Sequence, residues 1–158
     1  MEIAEWSDLF VAVAGASAAL AGLIIVAMSV NIDVIVRFPS LPSRAGATIS
    51  VLVLATVVSV LGLIPAIPLA WLGAATILFA LVCLGFALES TLRLVRDDAR
   101  AGILKGAVLV VPALAFLAGG AVLAAGSVAG LYFVVAGMVL GFVGTVLNAW
   151  VLLVEIRR

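Results

Sequence analysis

Long runs of apolar residues dominate the chain, and no charged residue interrupts residues 49–88 or 107–154. A first, shorter run covers residues 9–30. That is about the length that a helix rising ~1.5 Å per residue needs to cross the ~30 Å hydrocarbon core of a bilayer. As single helices the two longer runs would measure about 60 and 72 Å, so each must fold back on itself. The pattern therefore predicts five membrane-spanning helices.

Two short breaks divide the longer runs. Pro65 and Pro68 lack backbone donors and disfavour helical geometry in the residues before them, which predicts a tight turn. Gly126 and Ser127 mark the second break. Pro112 lies within a span, where a membrane helix tolerates it as a kink. The prediction is an all-α, polytopic transmembrane helix bundle in which residues 1–158 form a single domain, with spans at residues 9–32, 47–64, 69–90, 105–125 and 130–154.

Composition excludes an ordinary water-soluble domain. The chain is 67% hydrophobic and 10% charged, against roughly 45–50% and 25% in soluble domains. It carries eight basic and eight acidic residues, so there is no excess of positive charge to bind nucleic acid. The composition thus identifies the lipid bilayer as the solvent and first partner of the chain.

Basic residues collect on one side of the predicted threading. The connections at residues 33–46 and 91–104 and the end of the chain contain Arg37, Arg44, Arg93, Arg96, Arg100, Arg157 and Arg158, and Lys105 stands at their edge. The other side, made of residues 1–8 and the two turns, contains no basic residue. Because cytoplasmic loops are rich in Lys and Arg, we expect a multi-pass protein of the plasma (inner) membrane with its N-terminus outside and its C-terminus in the cytoplasm. The aromatic residues Trp6, Trp71 and Tyr132 fall at predicted outer helix ends, as interfacial side chains do.

Small residues at four-residue spacing predict the faces through which helices associate. In lipid, helices are held together by close van der Waals contact and a few hydrogen bonds, which favours Gly, Ala, Ser and Thr at the contacts. Span one carries Ala14, Ala18 and Gly22 in register, with Gly15 and Ala19 beside them, and span five carries Gly137, Gly141 and Thr145. We expect these residues to form packing or oligomer contacts.

A small set of polar residues near the predicted cytoplasmic ends offers the only candidate path for a solute. Its members are Asn31, Asp33, Glu89, Asn148 and Glu155. The favoured interpretation is structural, with Asn148 forming a cross-helix hydrogen bond and each acid pairing with an arginine three or four residues later. The alternative is a polar path in a homo-oligomeric channel, lined by these side chains around a central axis.

The residues needed for enzymatic chemistry are missing from the sequence. The chain has no histidine, and its one cysteine, Cys83, lies in an apolar run. No nucleophile, base and orienting group can be assembled, and no metal or cofactor site is indicated. We therefore predict a protein that is not an enzyme and holds no cofactor.

The segment Trp6–Ala16, the run Ala18–Leu23 and the segment Ser29–Asp33 resemble small multi-span membrane proteins of actinobacteria. The resemblance covers mainly span one. It implies a bacterial membrane protein and assigns a role to no residue. The leading functional hypothesis is a self-associating or partner-binding helix bundle with an accessory or regulatory role. The alternative is a homo-oligomeric ion channel or small-solute conduit.

Overall fold

The computed structural model describes residues 3–30, 32, 40–97 and 99–154. Within these ranges the fold is entirely helical, with a short 3-10 turn at Ile3–Trp6 and five α-helices. The helices are α1 (Ser7–Val30), α2 (Ser40–Gly62), α3 (Leu69–Asp97), α4 (Ala99–Ala124) and α5 (Gly130–Val154). Each contains an apolar stretch long enough to cross a membrane. The predicted all-helical class, with five helices able to span a bilayer, is confirmed.

Two turns at one end of the bundle connect α2 to α3 and α4 to α5. Gly126, just after α4, has a φ of 87°, and Ala66, between α2 and α3, has a φ of 56°. At Gly126 the amide donates to Leu123 O (2.9 Å), and the next amide, of Ser127, donates to Val122 O (3.1 Å). This pair of bonds ends a helix with a left-handed residue, which glycine adopts without steric cost.

At the other end, the helices extend further than the predicted spans. α2 begins at Ser40 rather than near residue 47, and α3 continues to Asp97. Pro42 does not prevent an early start, because the first turn of a helix has no use for its missing amide hydrogen. α4 begins at Ala99, so most of the charged connection at 91–104 is helical. Because α2 begins at Ser40, Arg44 lies inside a helix and not in a loop.

Neighbouring helices along the chain run antiparallel, and α2 occupies the middle of the bundle. α3 packs on α4, α4 on α5 and α1 on α2, while α2 also contacts α3 and α5. We call the end with the two turns, residues 63–68 and 125–129, the turn end, and the opposite end the basic end. The described basic side chains all belong to the basic end, and these are Arg44, Arg93, Arg96 and Lys105.

Close packing of backbones holds α3, α4 and α5 together. A Cβ atom added to Gly73 would lie 2.7 Å from Gly120 O, and one added to Gly130 would lie 2.8 Å from Leu123 N. Phe116 fills the space beside Gly137 and is fully buried. Such contacts are a main source of association between helices in lipid, because the hydrophobic effect gives no driving force for association there.

Candidate functional site

Arg44, Thr48 and Asn148 form a polar cluster between α2 and α5, in the interior of the described bundle. Arg44 Nη2 donates a hydrogen bond to Asn148 Oδ1 at 2.8 Å. Asn148 Nδ2 in turn donates to Thr48 Oγ1 at 3.2 Å. All three side chains are buried, with Arg44 only 6% exposed. The cluster therefore ties the start of α2 to the last turns of α5.

Local sequence explains how the cluster is positioned. Arg44 and Thr48 are four residues apart on α2, which places them on one face of the helix. The Thr48 hydroxyl also donates to Arg44 O at 2.8 Å, which leaves a lone pair on its oxygen to accept from Asn148. The predicted cross-helix hydrogen bond of Asn148 is present in the structure.

The participation of Arg44 was not predicted. The predicted spans left this residue in the connection at residues 33–46, because the second span was expected to begin near residue 47. The available signal was Ser40 followed by Pro42, since proline is common in the first turn of a helix. A guanidinium keeps its charge at all accessible pH values, so burying it demands acceptors such as the Asn148 carbonyl oxygen.

Three buried hydroxyls make no hydrogen bond with any described residue. They belong to Ser59, Ser90 and Thr145. Ser59 and Ser90 are fully buried in α2 and α3, and Thr145 is buried in α5 three residues before Asn148. By contrast, Ser17 on α1 bonds across to Thr56 on α2 at 2.8 Å. This pair links the two helices in the way small polar residues do in membranes.

Apart from Asn148, Glu89 is the one member of the predicted polar path that lies among the described residues. Glu89 is exposed on α3 and pairs with Arg93 at 2.6 Å, as the four-residue spacing predicts. Such an exposed pair contributes roughly 0.2–1 kcal/mol. Asn148, in contrast, is enclosed between α2 and α5. Asn31, Asp33 and Glu155 lie outside the described residues.

The two predicted ridges of small residues have different environments. In α5, a Cβ added to Gly137 would lie 2.8 Å from the Phe116 ring, and one added to Gly141 would lie 2.6 Å from Val51 Cγ1. These positions and Thr145 face the interior of the same chain. In α1, Gly15, Ala18 and Gly22 are all exposed. A Cβ added to either glycine would have nothing within 4 Å.

Among the residues that the structure describes, no group of three His, Cys, Asp or Glu side chains is placed to hold a metal ion. Cys83 is buried and accepts a hydrogen bond from Ser50 Oγ at 3.4 Å.

Comparisons with protein-family models, with curated proteins and with solved structures find no match to this chain.

Proposed function

We propose that this chain is a non-enzymatic accessory or regulatory protein of the membrane, which associates with copies of itself or with a partner membrane protein through α1. The five apolar helices fit an integral membrane helix bundle. The outward face of α1, which consists of Gly15, Ala18, Ala19 and Gly22, carries the proposal. Its residues are small, regularly spaced and exposed.

The position of this face on α1 supports the proposal. The buried residues of α1 are Phe10, Val13, Ser17 and Ile24, and they face α2. At about 100° per residue, Gly15 and Gly22 lie on the opposite side of the helix. The backbone is therefore open to close approach on the side that this bundle leaves uncovered, which is the surface that small-residue helix pairing requires.

Inside the bundle, similar positions are occupied. Gly119, Gly137 and Gly144 each have a heavy atom of a neighbouring helix within 3.0 Å of the position of an added Cβ. The chain thus uses glycines on α4 and α5 to bring its own helices together. Gly15 and Gly22 are available to do the same for a helix of another molecule.

Enlarging this face is expected to dissociate the assembly without damaging the fold. The double substitution Gly15→Leu and Gly22→Leu should convert an oligomer into a monomer, because leucine keeps a facing backbone at a distance. A Cβ added at either position has no atom of a neighbouring helix within 4 Å. Native mass spectrometry in mild detergent measures the change. Gly85→Leu is the matched control, since Gly85 is also exposed with open space around it but lies on α3.

If the protein without substitutions is a monomer by native mass spectrometry, self-association is contradicted. Partner binding is then tested in native membranes with a photo-crosslinking amino acid at position 19 on the outward face, and with position 85 as control. Crosslinks from position 19 alone support a partner on α1. Equal crosslinking from both positions would argue against a dedicated face.

We also propose that the turn end faces outward and the basic end faces the cytoplasm of a bacterial cell. The described charges support this orientation, because Arg44, Arg93, Arg96 and Lys105 lie at one end and positive residues are retained on the cytoplasmic side.

In a Cys83→Ser background, an impermeant maleimide added to intact cells should label Ser127→Cys in the turn end. It should label Lys105→Cys at the basic end only after the cells are lysed. Labelling of both positions in intact cells, or of the basic end alone, would reverse or invalidate the orientation.

A further inference from the structure

An open cavity of about 620 Å³ lies at the turn end, where the start of α1 meets the turn between α2 and α3. Its walls include Ile3, Ser7, Ile64, Ile67 and Val128. Among the described residues that line it, Ser7 alone has a polar side chain. The volume falls in the range of about 300–1,000 Å³ that is typical of small-molecule sites, which are also mostly apolar. The cavity therefore has the size and lining to receive an organic molecule.

Among the described residues, the charged side chains closest in sequence to the cavity lining of α1 are acidic. Glu5 and Asp8 are exposed, and each is within two positions of a residue that lines the cavity. The described basic side chains lie at the opposite end of the bundle. Clefts with low-dielectric walls and charges of one sign at the mouth concentrate ligands of the opposite charge. An apolar cation is thus the ligand that both the lining and the charges favour.

The wall formed by the turn is held in an uncommon backbone conformation. Ala66 lines the cavity and has a φ of 56°, a left-handed value that residues with a Cβ seldom adopt. Strained residues of this kind persist where the surrounding structure requires them, and they cluster at ligand sites.

We propose that the cavity at the turn end binds a lipophilic organic cation, whose apolar groups contact Ile64, Ile67 and Val128 while Glu5 and Asp8 provide the opposing charge. This site is separate from the outward face of α1. The two proposals can therefore fail independently.

Two ions of nearly the same shape and opposite charge test the proposal. Full-length protein in a neutral maltoside detergent is titrated with tetraphenylphosphonium and with tetraphenylborate, and binding is followed by calorimetry against detergent alone. We expect saturable binding of the cation, at least about tenfold tighter than that of the anion. Equal affinity for both ions, or no binding of the cation beyond its partition into detergent, would overturn the proposal.

Substitutions locate the binding. Glu5→Gln with Asp8→Asn should weaken cation binding about fivefold or more, whereas Glu89→Gln, which removes an exposed carboxylate at the basic end, should leave it unchanged. Val128→Trp should abolish binding because the indole fills the cavity. If that substitution destabilises the fold, Ser7→Phe is a second substitution that fills the cavity. Cation binding that survives both filling variants in folded protein would place the site elsewhere.

Discussion

Replacing Gly73 with alanine is expected to lower the free energy of unfolding by about 2–3 kcal/mol, because overpacking a tight contact forces backbones apart. The added methyl group would lie 2.7 Å from Gly120 O and 2.8 Å from the Cα of Ala124. Both obstacles are backbone atoms of α4, which cannot rotate away as a side chain could. The α3–α4 pair would have to separate along its length near the turn end.

Gly85→Ala is the matched control for this substitution. It introduces the same methyl group on the same helix, at a position where nothing lies within 4 Å. Its effect should be neutral or slightly stabilising, since alanine has a higher helix propensity than glycine. Unfolding by sodium dodecyl sulfate in mixed micelles, followed by circular dichroism, measures both variants. Equal stability of the two would show that α3 and α4 are not packed as closely as the structure describes.

Replacing Asn148 with leucine should cost about 1.5–3 kcal/mol, the usual contribution of a hydrogen bond to a charged group. The variant leaves the Arg44 guanidinium buried between α2 and α5 without the oxygen that accepts from its Nη2. Thr48 would lose the donor at its hydroxyl oxygen as well. The same detergent unfolding assay measures the loss.

A double-mutant cycle shows whether the loss comes from the pair. Arg44→Met alone removes the charge, and Arg44→Met combined with Asn148→Leu removes both partners. Replacement of both partners with apolar groups of similar shape is often close to neutral, so the double variant should be more stable than the sum of the single effects predicts. If the two single effects on the free energy of unfolding simply add, Arg44 and Asn148 are not energetically coupled. The polar cluster would then not hold α2 on α5.

Much of the fold could be predicted from residue type and order. The uninterrupted apolar runs at 49–88 and 107–154 are too long for one helix each, and Pro65 and Gly126 mark the points where they turn. These signals are local, because a missing amide donor or a left-handed residue acts on its own neighbours. The four-residue spacing of Glu89 and Arg93 likewise predicted a pair that the structure shows.

The candidate site could be predicted only in part. Asn148 was expected to bond across helices because an amide inside a bilayer needs a partner, but nothing near it in the sequence identifies that partner. Arg44 is over one hundred positions away along the chain, and its burial depends on α2 beginning at Ser40. Similarly, the cavity at the turn end has walls from the 3-10 turn and both connecting turns, which no local pattern relates.

The sequence by itself determined that this protein is a bundle of five apolar helices, where the bundle turns, and how its charges divide between the two ends. Only the tertiary structure decided which small-residue ridge is used within the chain and which is left open. The ridges of α1 and α5 both consist of small residues three or four positions apart, so their composition does not show which one is covered. The difference arises because α5 contacts α2 and α4, which cover Gly137 and Gly141, whereas α1 packs mainly on α2 and turns Gly15 and Gly22 outward.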